Sequence, residues 1–239
     1  MHPLSVALPT GGAFVREHLR TPLTLVLLVA IPVFFVLIFA SVLDEFAEAL
    51  GGTLAGGAST AISAGWAAAF LCGTLAFFQV ASSRSADRRL ALAGFGAGRV
   101  ALARIAAAIV LGIVVSAVAY LTLWLRTGID HPAHAAAAVF AFALIYIGIG
   151  ALIGAFVSDP LNGSLLVVLV FAVDVFSGPQ MTSNGLFSYT PTRDAAELLI
   201  AAGSGQASPA ADWLAVGAAV AVALTVATGA FWLAARPRS

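Results

Sequence analysis

Asp174 has the clearest chemical potential in this sequence, because it is an acidic residue within the long apolar stretch 161–178. At 1.5 Å per residue, a helix would place it about 20 Å from Leu161. If the stretch crosses a membrane, Asp174 lies in its outer half, where an ionised acid is costly and usually faces a bundle interior or an aqueous cavity. We therefore predict that Asp174 lines a translocation path. The alternative is a structural acid that accepts a hydrogen bond from a hydroxyl or reaches outward.

The densest group of charges lies between residues 82 and 99, which read SSRSADRRLALAGFGAGR. A serine at position 83 or 85 is a suitable N-cap for a short helix, and Gly94 is suited to end it. The functional interpretation is a docking surface for a cytoplasmic partner. The alternative is a positively charged loop that only fixes the topology of the chain. The predicted docking residues are Arg84, Asp87, Arg88 and Arg89.

Patterns that would indicate an enzyme are missing from the sequence. There is no GxxxxGK[ST] phosphate loop, no HExxH and no CxxC, so neither ATP binding of the usual kind nor a common zinc site is predicted. His131 and His134 lack further ligand residues nearby, and Ser164 lacks the glycine pattern of a nucleophile elbow. The single cysteine, Cys72, is expected to be a small buried apolar residue. We predict no catalytic residue, no metal and no cofactor in this chain.

The composition is that of a membrane protein. Of the 239 residues, 61% are hydrophobic and 9% are charged, whereas soluble domains have roughly 25% charged residues. A mean hydropathy of +1.04 excludes an ordinary water-facing surface. The net charge of zero gives no field that would favour nucleic acid. The beginning of the sequence does not resemble a removable signal peptide.

Six runs are long and apolar enough to cross a membrane, which takes about 20 residues in a helix. They cover residues 22–43, 61–81, 105–125, 135–157, 161–178 and 213–235. Their apolar residues are continuous and do not alternate with polar ones, which favours helices over the strands of a barrel. The sequence therefore predicts an all-α, polytopic membrane protein with six transmembrane helices in a single domain over residues 1–239.

The arginines predict the orientation of these helices. The sequence has no lysine, and with six spans nine of its 11 basic residues fall on the side that holds both termini. Arg126 and Arg193 fall on the other side, together with most of the acids. Since basic residues are retained in the cytoplasm, both termini are predicted to be cytoplasmic. We expect a multi-pass protein of the plasma membrane, which in a prokaryote is the inner membrane.

Three shorter features complete the prediction. Residues 11–20 are expected to form a short interfacial helix, and Pro32 is expected to kink the first span. Residues 192–202 are predicted to form an outer helical segment between spans five and six, with Thr192 as its N-cap. In the fourth span, Gly150 and Gly154 form a small-xxx-small pattern, which predicts close helix packing.

The order and spacing of four stretches resemble the permease subunits of ABC-2 type transporters, which are type V ABC exporters. One is the Arg-Thr-Pro-Leu start of the first span at residues 20–23, with Pro32 inside that span. The second is the arginine-rich stretch 84–104, which is similar to the family's coupling helix. The third covers the glycine-bearing fourth span, its tight turn and the fifth span. The fourth comprises the Ser-Gly-Pro at 177–179 and the Thr-Pro-Thr-Arg-Asp-Ala at 190–195.

The resemblance implies a function that composition alone does not. It implies a dimeric permease, of identical or homologous subunits, bound to a soluble ABC ATPase that carries the ATP and Mg. The cargo would be a drug, a lipid or another amphipathic molecule moved out of the cell. The sequence departs from the family pattern at Ala93-Gly94, where the family has Thr-Pro, and at Ser82 and Ser83, where it has acids.

Other functions stay open at this point. A secondary transporter or channel would use Asp174 as an ion or proton site and would need no ATPase. Inverted repeats would favour that function, and none is evident in the sequence. An intramembrane enzyme is disfavoured by the missing motifs, and an assembly protein without transport activity is compatible with the composition.

Overall fold

The computed structural model describes residues 22–54, 57–181, 190–206 and 210–236. These residues form seven helical elements, which we number in chain order. They are α1 (Pro22–Ala49), α2 (Ala58–Phe95), α3 (Ala97–Thr127), α4 (Pro132–Phe156), α5 (Pro160–Phe176), α6 (Arg193–Gly203) and α7 (Ala210–Ala235). The predicted all-α class is confirmed for this part of the chain. The predicted interfacial helix at 11–20 lies outside the described residues.

Five helices, α1 to α4 and α7, are long and apolar enough to cross a membrane. They coincide with five of the six predicted spans and extend beyond most of their predicted ends. The helix at the predicted fifth span, α5, is apolar but has only 17 residues. Its length of about 25 Å is a little less than the roughly 30 Å of a hydrocarbon core.

The centre of the bundle is the pair α2 and α4. In the most apolar 18-residue segments of α2 and α4, 78% and 67% of the residues are buried. The corresponding fraction is 28% in α1 and in α7. Glycines on one helix lie opposite aromatic rings on the other, with Gly65 against Phe142 and Gly73 against Tyr146. Because a glycine leaves room for a ring, the two helix axes approach closely along their whole contact.

Gly150 and Gly154 of α4 face the backbone of α2. A methyl group on Gly150 would overlap the carbonyl of Gly73, and one on Gly154 would lie 2.8 Å from the carbonyl oxygen of Phe77. Gly148 faces α7 instead, where a methyl group would lie 2.6 Å from the carbonyl oxygen of Ala223. The glycines of α4 thus allow backbone contact on two sides of the helix.

The first helix contains Pro32 and continues beyond it through a π-helical turn, Phe35–Phe39. Proline has no N–H, so the regular hydrogen-bond pattern is interrupted at this point. Arg126, near the end of α3, donates to the carbonyl oxygens of Val36 at 2.5 Å and Leu37 at 2.8 Å. A basic residue of another helix therefore supplies donors to the irregular turn.

The arginine-rich stretch after the second span does not form a separate helix. Instead, α2 runs without interruption through Leu90 and ends in a π-helical turn, Ala91–Phe95. The prediction that Ser83 or Ser85 caps a new helix is wrong, because both lie inside this continuous helix. Gly94 does end it, with a φ of 96° that favours glycine.

Between α5 and α7 the predicted helical segment is present as α6, Arg193–Gly203. It packs against α2, α4 and α7 and buries Ala195, Leu198 and Leu199. Thr192 precedes the helix, but its side chain makes no capping hydrogen bond to the backbone. The Thr192 hydroxyl has another partner, Asp174, described below.

Large apolar side chains are exposed on the outer helices. Those with about half or more of their surface exposed include Val26 on α1, Leu125 on α3, Leu165 and Leu169 on α5, and Leu214 on α7. A water-soluble monomer rarely exposes contiguous apolar surface of this kind. The surface is compatible with insertion into a membrane.

Candidate functional site

The charged residues of the predicted docking cluster lie at one end of the bundle, which we call the arginine-rich end. It comprises residues 83–104 of α2 and α3 and the C-terminal ends of α4 and α7. At its centre Asp87 and Arg104 form an ion pair in which Arg104 Nη2 lies 2.8 Å from Asp87 Oδ1. Arg104 Nε also donates to the same carboxylate, and the Ser83 hydroxyl donates to Asp87 Oδ2 at 2.8 Å.

This ion pair is enclosed by the protein. Asp87 and Arg104 are 1% and 5% exposed, so α2 and α3 are joined by two charges with almost no solvent between them. Removing one partner of a buried pair leaves the other charge unpaired in a poorly solvated place. Asp87 therefore has a structural role within the chain, which is to join α2 to α3 through Arg104.

Two neighbouring arginines bind the ends of other helices. Arg84 donates through Nη2 to the carbonyl of Gly154 and, at 3.5 Å, to that of Val157, where α4 ends. Arg88 Nε donates to the carbonyl oxygen of Ala234, in the last turn of α7, at 3.3 Å. The last carbonyls of a helix have no intrahelical partners and carry partial negative charge, so an arginine is favoured there.

Arg89 is the member of the predicted docking set whose side chain is exposed. It forms no hydrogen bond or ion pair within the described part of the chain. Leu92, 71% exposed, and Phe95 follow it on the last turn of α2 and are also exposed. The structure thus separates the predicted set into Arg84, Asp87 and Arg88, which bind other helices, and Arg89, which faces outward.

Arg104 is the partner of Asp87 and was not predicted from the sequence. It was counted only as one of the charges that orient the chain. A signal was present, because Ser83 and Asp87 are four residues apart on one helix and Arg104 follows early on the next. Whether two such residues meet depends on how the helices cross, which the sequence did not show.

Asp174 lies in a second polar cluster, inside the bundle. It is 2% exposed, and its Oδ2 accepts hydrogen bonds from the Tyr146 hydroxyl at 2.8 Å and from the Thr192 hydroxyl at 2.6 Å. Its Oδ1 and the nearby Thr190 hydroxyl are buried without a well-formed hydrogen bond. Asp174 therefore joins α4, α5 and the start of α6 at one point, which we call the Asp174 junction.

Neither Tyr146 nor Thr192 was recognised as a partner of Asp174 from the sequence. Each is distant along the chain, by 28 and 18 residues. The arrangement corresponds to the structural alternative, an acid held by hydroxyls. The translocation-path assignment for Asp174 stays a prediction.

The two histidines of the sequence analysis lie near each other at the opposite end of the bundle. The rings of His131 and His134 have centroids 5.6 Å apart, and the His134 ring is 5.4 Å from that of Trp213. Among the described residues, no group of three or more His, Cys, Asp or Glu could hold a metal ion. Cys72 is buried against α3 and α4, where it contributes to packing.

Comparison with known proteins adds no relative to this description. No family model matches the chain, and no curated protein matches it.

The buried ion pair yields a stability prediction. We expect Asp87→Leu to lower the free energy of unfolding by about 3–5 kcal/mol, because the buried Arg104 loses the carboxylate that balances its charge. Adding Arg104→Met should recover most of that loss, since the buried positive charge is then removed as well. The measurement is the unfolding midpoint of the detergent-purified chain, with exposed Arg89→Met as the control. Equal midpoints for Asp87→Leu and the wild type would contradict the role assigned to the pair.

The Asp174 junction yields a prediction that separates its two interpretations. If Asp174 is structural, Asp174→Asn should be nearly silent, because the amide oxygen still accepts from Tyr146 and Thr192. Asp174→Leu should cost about 1–3 kcal/mol of unfolding free energy, since it leaves two buried hydroxyls unpaired. Proteolysis of the 190–206 segment should rise in the same variant. A normal unfolding midpoint for Asp174→Asn combined with lost transport would instead favour the path interpretation.

Proposed function

We propose that this chain is the membrane-spanning permease subunit of an ATP-driven exporter of the ABC-2 type. In this proposal six helices cross the plasma membrane, and the arginine-rich end faces the cytoplasm with both termini. The permease acts with a second permease, identical or homologous, and with a soluble ABC ATPase. The cargo class is a drug, a lipid or another amphipathic molecule.

The position of α5 supports a sixth crossing despite its short length. Three residues separate it from the end of α4 at the arginine-rich end, and it packs along α2 and α4. The turn that follows it places Gly178 against the ring of Trp66. Gly163, in the first turn of α5, lies against the ring of Phe77, which is 11 helical residues, or about 16 Å, from Trp66 along α2. Residues 163–178 therefore run antiparallel to α2, from the arginine-rich end toward the opposite end, which is the direction that a sixth crossing requires.

The observation that carries the proposal is the attachment of four helices at the arginine-rich end. The last turns of α2 hold α3 through Asp87, α4 through Arg84 and α7 through Arg88. Their tip presents the exposed Arg89, Leu92 and Phe95. A partner that bound this tip and moved would displace the ends of four helices together. This is the behaviour expected of a coupling element between an ATPase and its permease.

The chemistry of ATP belongs to the partner in this proposal. The sequence has no phosphate loop, so ATP and Mg would be bound and hydrolysed by the separate ATPase subunit. This chain would not be an enzyme. It would convert the partner's movement into a change in how the helices pack, which opens a path for cargo between the two permeases.

A secondary transporter is less well supported by the same geometry. It would require water or ions to reach Asp174, whose carboxylate is enclosed by the protein and held by two hydroxyls. Intramembrane acids that carry ions usually face a water-filled cavity. The exporter proposal needs no titration at Asp174, and we favour it for that reason.

The six-span arrangement predicts opposite accessibility for two exposed serines. Ser85 lies on the arginine-rich part of α2, and Ser204 follows α6. In a Cys72→Ala background, cysteine at position 204 should react with an impermeant maleimide added to intact cells. Cysteine at position 85 should react only after the membrane is opened. Because both side chains are exposed, labelling of both from one side would contradict six spans.

The docking proposal is best tested at Arg89, because Arg84 and Arg88 also hold helix ends. Arg89→Glu should reduce co-purification of a co-expressed ABC ATPase by at least about tenfold. An ATPase surface complementary to Arg89 is acidic, and the new glutamate would face it with a like charge, which costs several kcal/mol at an interface. The unfolding midpoint should not change.

The matched control is Arg193→Glu, at the end away from the arginine-rich one. It breaks a partly exposed pair with Glu197, which contributes at most about 1 kcal/mol. Undiminished co-purification with Arg89→Glu would contradict docking at this tip and would leave the arginine-rich stretch with its contacts to other helices and its effect on topology.

A further inference from the structure

A groove separates the beginning of α3 from the end of α7. It has a volume of about 610 Å³ and is open to the surface of the bundle. Gly98 and Gly229 leave space on its two walls, because no atom lies within 4 Å of where a side chain would begin at either one. The groove follows α7 from Thr225 to Trp232, or about 10 Å along the helix.

The deep part of the groove is apolar in character. The hydroxyls of Thr225 and Thr228 donate to the carbonyl oxygens of their own helix, at Ala221 and Leu224, at 2.8 Å and 2.7 Å. They are therefore not directed at a ligand. Leu102 on the α3 side adds exposed apolar surface. A hydrocarbon chain would find few unpaired polar groups there.

The mouth of the groove, at the arginine-rich end, is positively charged. Arg99 lines it, and Arg236 lies over the Trp232 ring, 5.0 Å from the ring centroid. Both arginines are exposed and neither has an ion-pair partner within the described part of the chain. The residues that line the groove include no acid.

The backbone adds donors at the same place. The N–H groups of Arg99 and Val100 bond to the carbonyl of Gly96, where α3 begins. The N–H groups of Ala97 and Gly98, in the first turn of α3, precede the first intrahelical bond and have no intrahelical partner. This end of the helix carries partial positive charge, which favours a phosphate group. The side chain of Gly98 is only a hydrogen atom, so a headgroup can approach these amides.

We propose that this groove binds one anionic phospholipid of the membrane leaflet at the arginine-rich end. An acyl chain lies between α3 and α7, and the headgroup phosphate lies between Arg99 and Arg236. Trp232 lies at the depth of the headgroup, where tryptophan is favoured at a membrane surface. Basic pockets between helices on the cytoplasmic side are suited to anionic headgroups. The site is independent of whether an ATPase joins the chain.

The experiment measures lipid retention by the purified full-length chain in native mass spectrometry. Phosphatidylglycerol and phosphatidylcholine with identical acyl chains are titrated separately. We expect phosphatidylglycerol to be retained preferentially. Arg99→Gln and Arg236→Gln should each weaken its binding about fivefold, as expected for one basic residue near a membrane surface. Arg89→Gln, at the same end but outside the groove, should have no effect.

A second pair of variants tests the groove itself. Gly229→Leu should fill the groove and remove the preference for phosphatidylglycerol. Gly217→Leu is its control, because Gly217 is also exposed on α7 with open space around it and does not line the groove. Unchanged unfolding midpoints would show that both variants fold.

Two results would overturn the proposal. One is equal retention of the two lipids by the wild type. The other is unchanged lipid retention by Gly229→Leu. If Gly229→Leu instead converts a dimer to a monomer while lipid retention stays the same, the groove is an interface between copies of this chain.

Discussion

In an apolar surrounding, each polar group of the chain must find its partner within the protein, and this constraint explains most of the polar contacts in the structure. The backbone satisfies it by forming helices. Helix ends and irregular turns need further donors, which Arg84, Arg88 and Arg126 supply to the carbonyls of α4, α7 and α1. The same need pairs Asp87 with Arg104 and surrounds Asp174 with hydroxyls.

Small residues account for the close packing of the helices. In lipid there is little hydrophobic gain from bringing two apolar helices together, so van der Waals contact must supply the stability. Gly73 receives the ring of Tyr146, and Gly150 lies on the backbone of α2. Such contacts make α2 and α4 the closely packed centre of the bundle. The outer helices, with much of their apolar surface exposed, are left to contact lipid or another copy of the chain.

The polar contacts within the protein and the close packing of α2 with α4 together explain the role that we propose for the arginine-rich end. The closely packed pair of α2 and α4 ends at the arginine-rich end, where α2 is attached to three other helices by ionic and hydrogen-bonded contacts. The side chains that make these contacts are directed inward, and the tip beyond them is exposed. Movement applied to such a tip would be distributed over the bundle and not absorbed by a flexible loop. The Asp174 junction attaches the short α6 to the same bundle, well away from the arginine-rich end.

The sequence alone determined the all-α class, the position of the apolar helices and the location of the charge cluster. These properties depend on composition and on local patterns, such as the length of an apolar run or a glycine at the end of a helix. It also located the helix at 193–203 within one residue of its observed bounds. The sequence did not predict the partner of a side chain that can bond either to its own helix or to a distant residue. Thr192 was expected to cap its own helix but bonds to Asp174. Ser83, one of the two serines expected to cap a new helix, bonds to Asp87. Only the tertiary structure decided that Arg84 and Arg88 hold other helices while Arg89 is exposed, because the direction of each arginine depends on which helix ends lie beside α2.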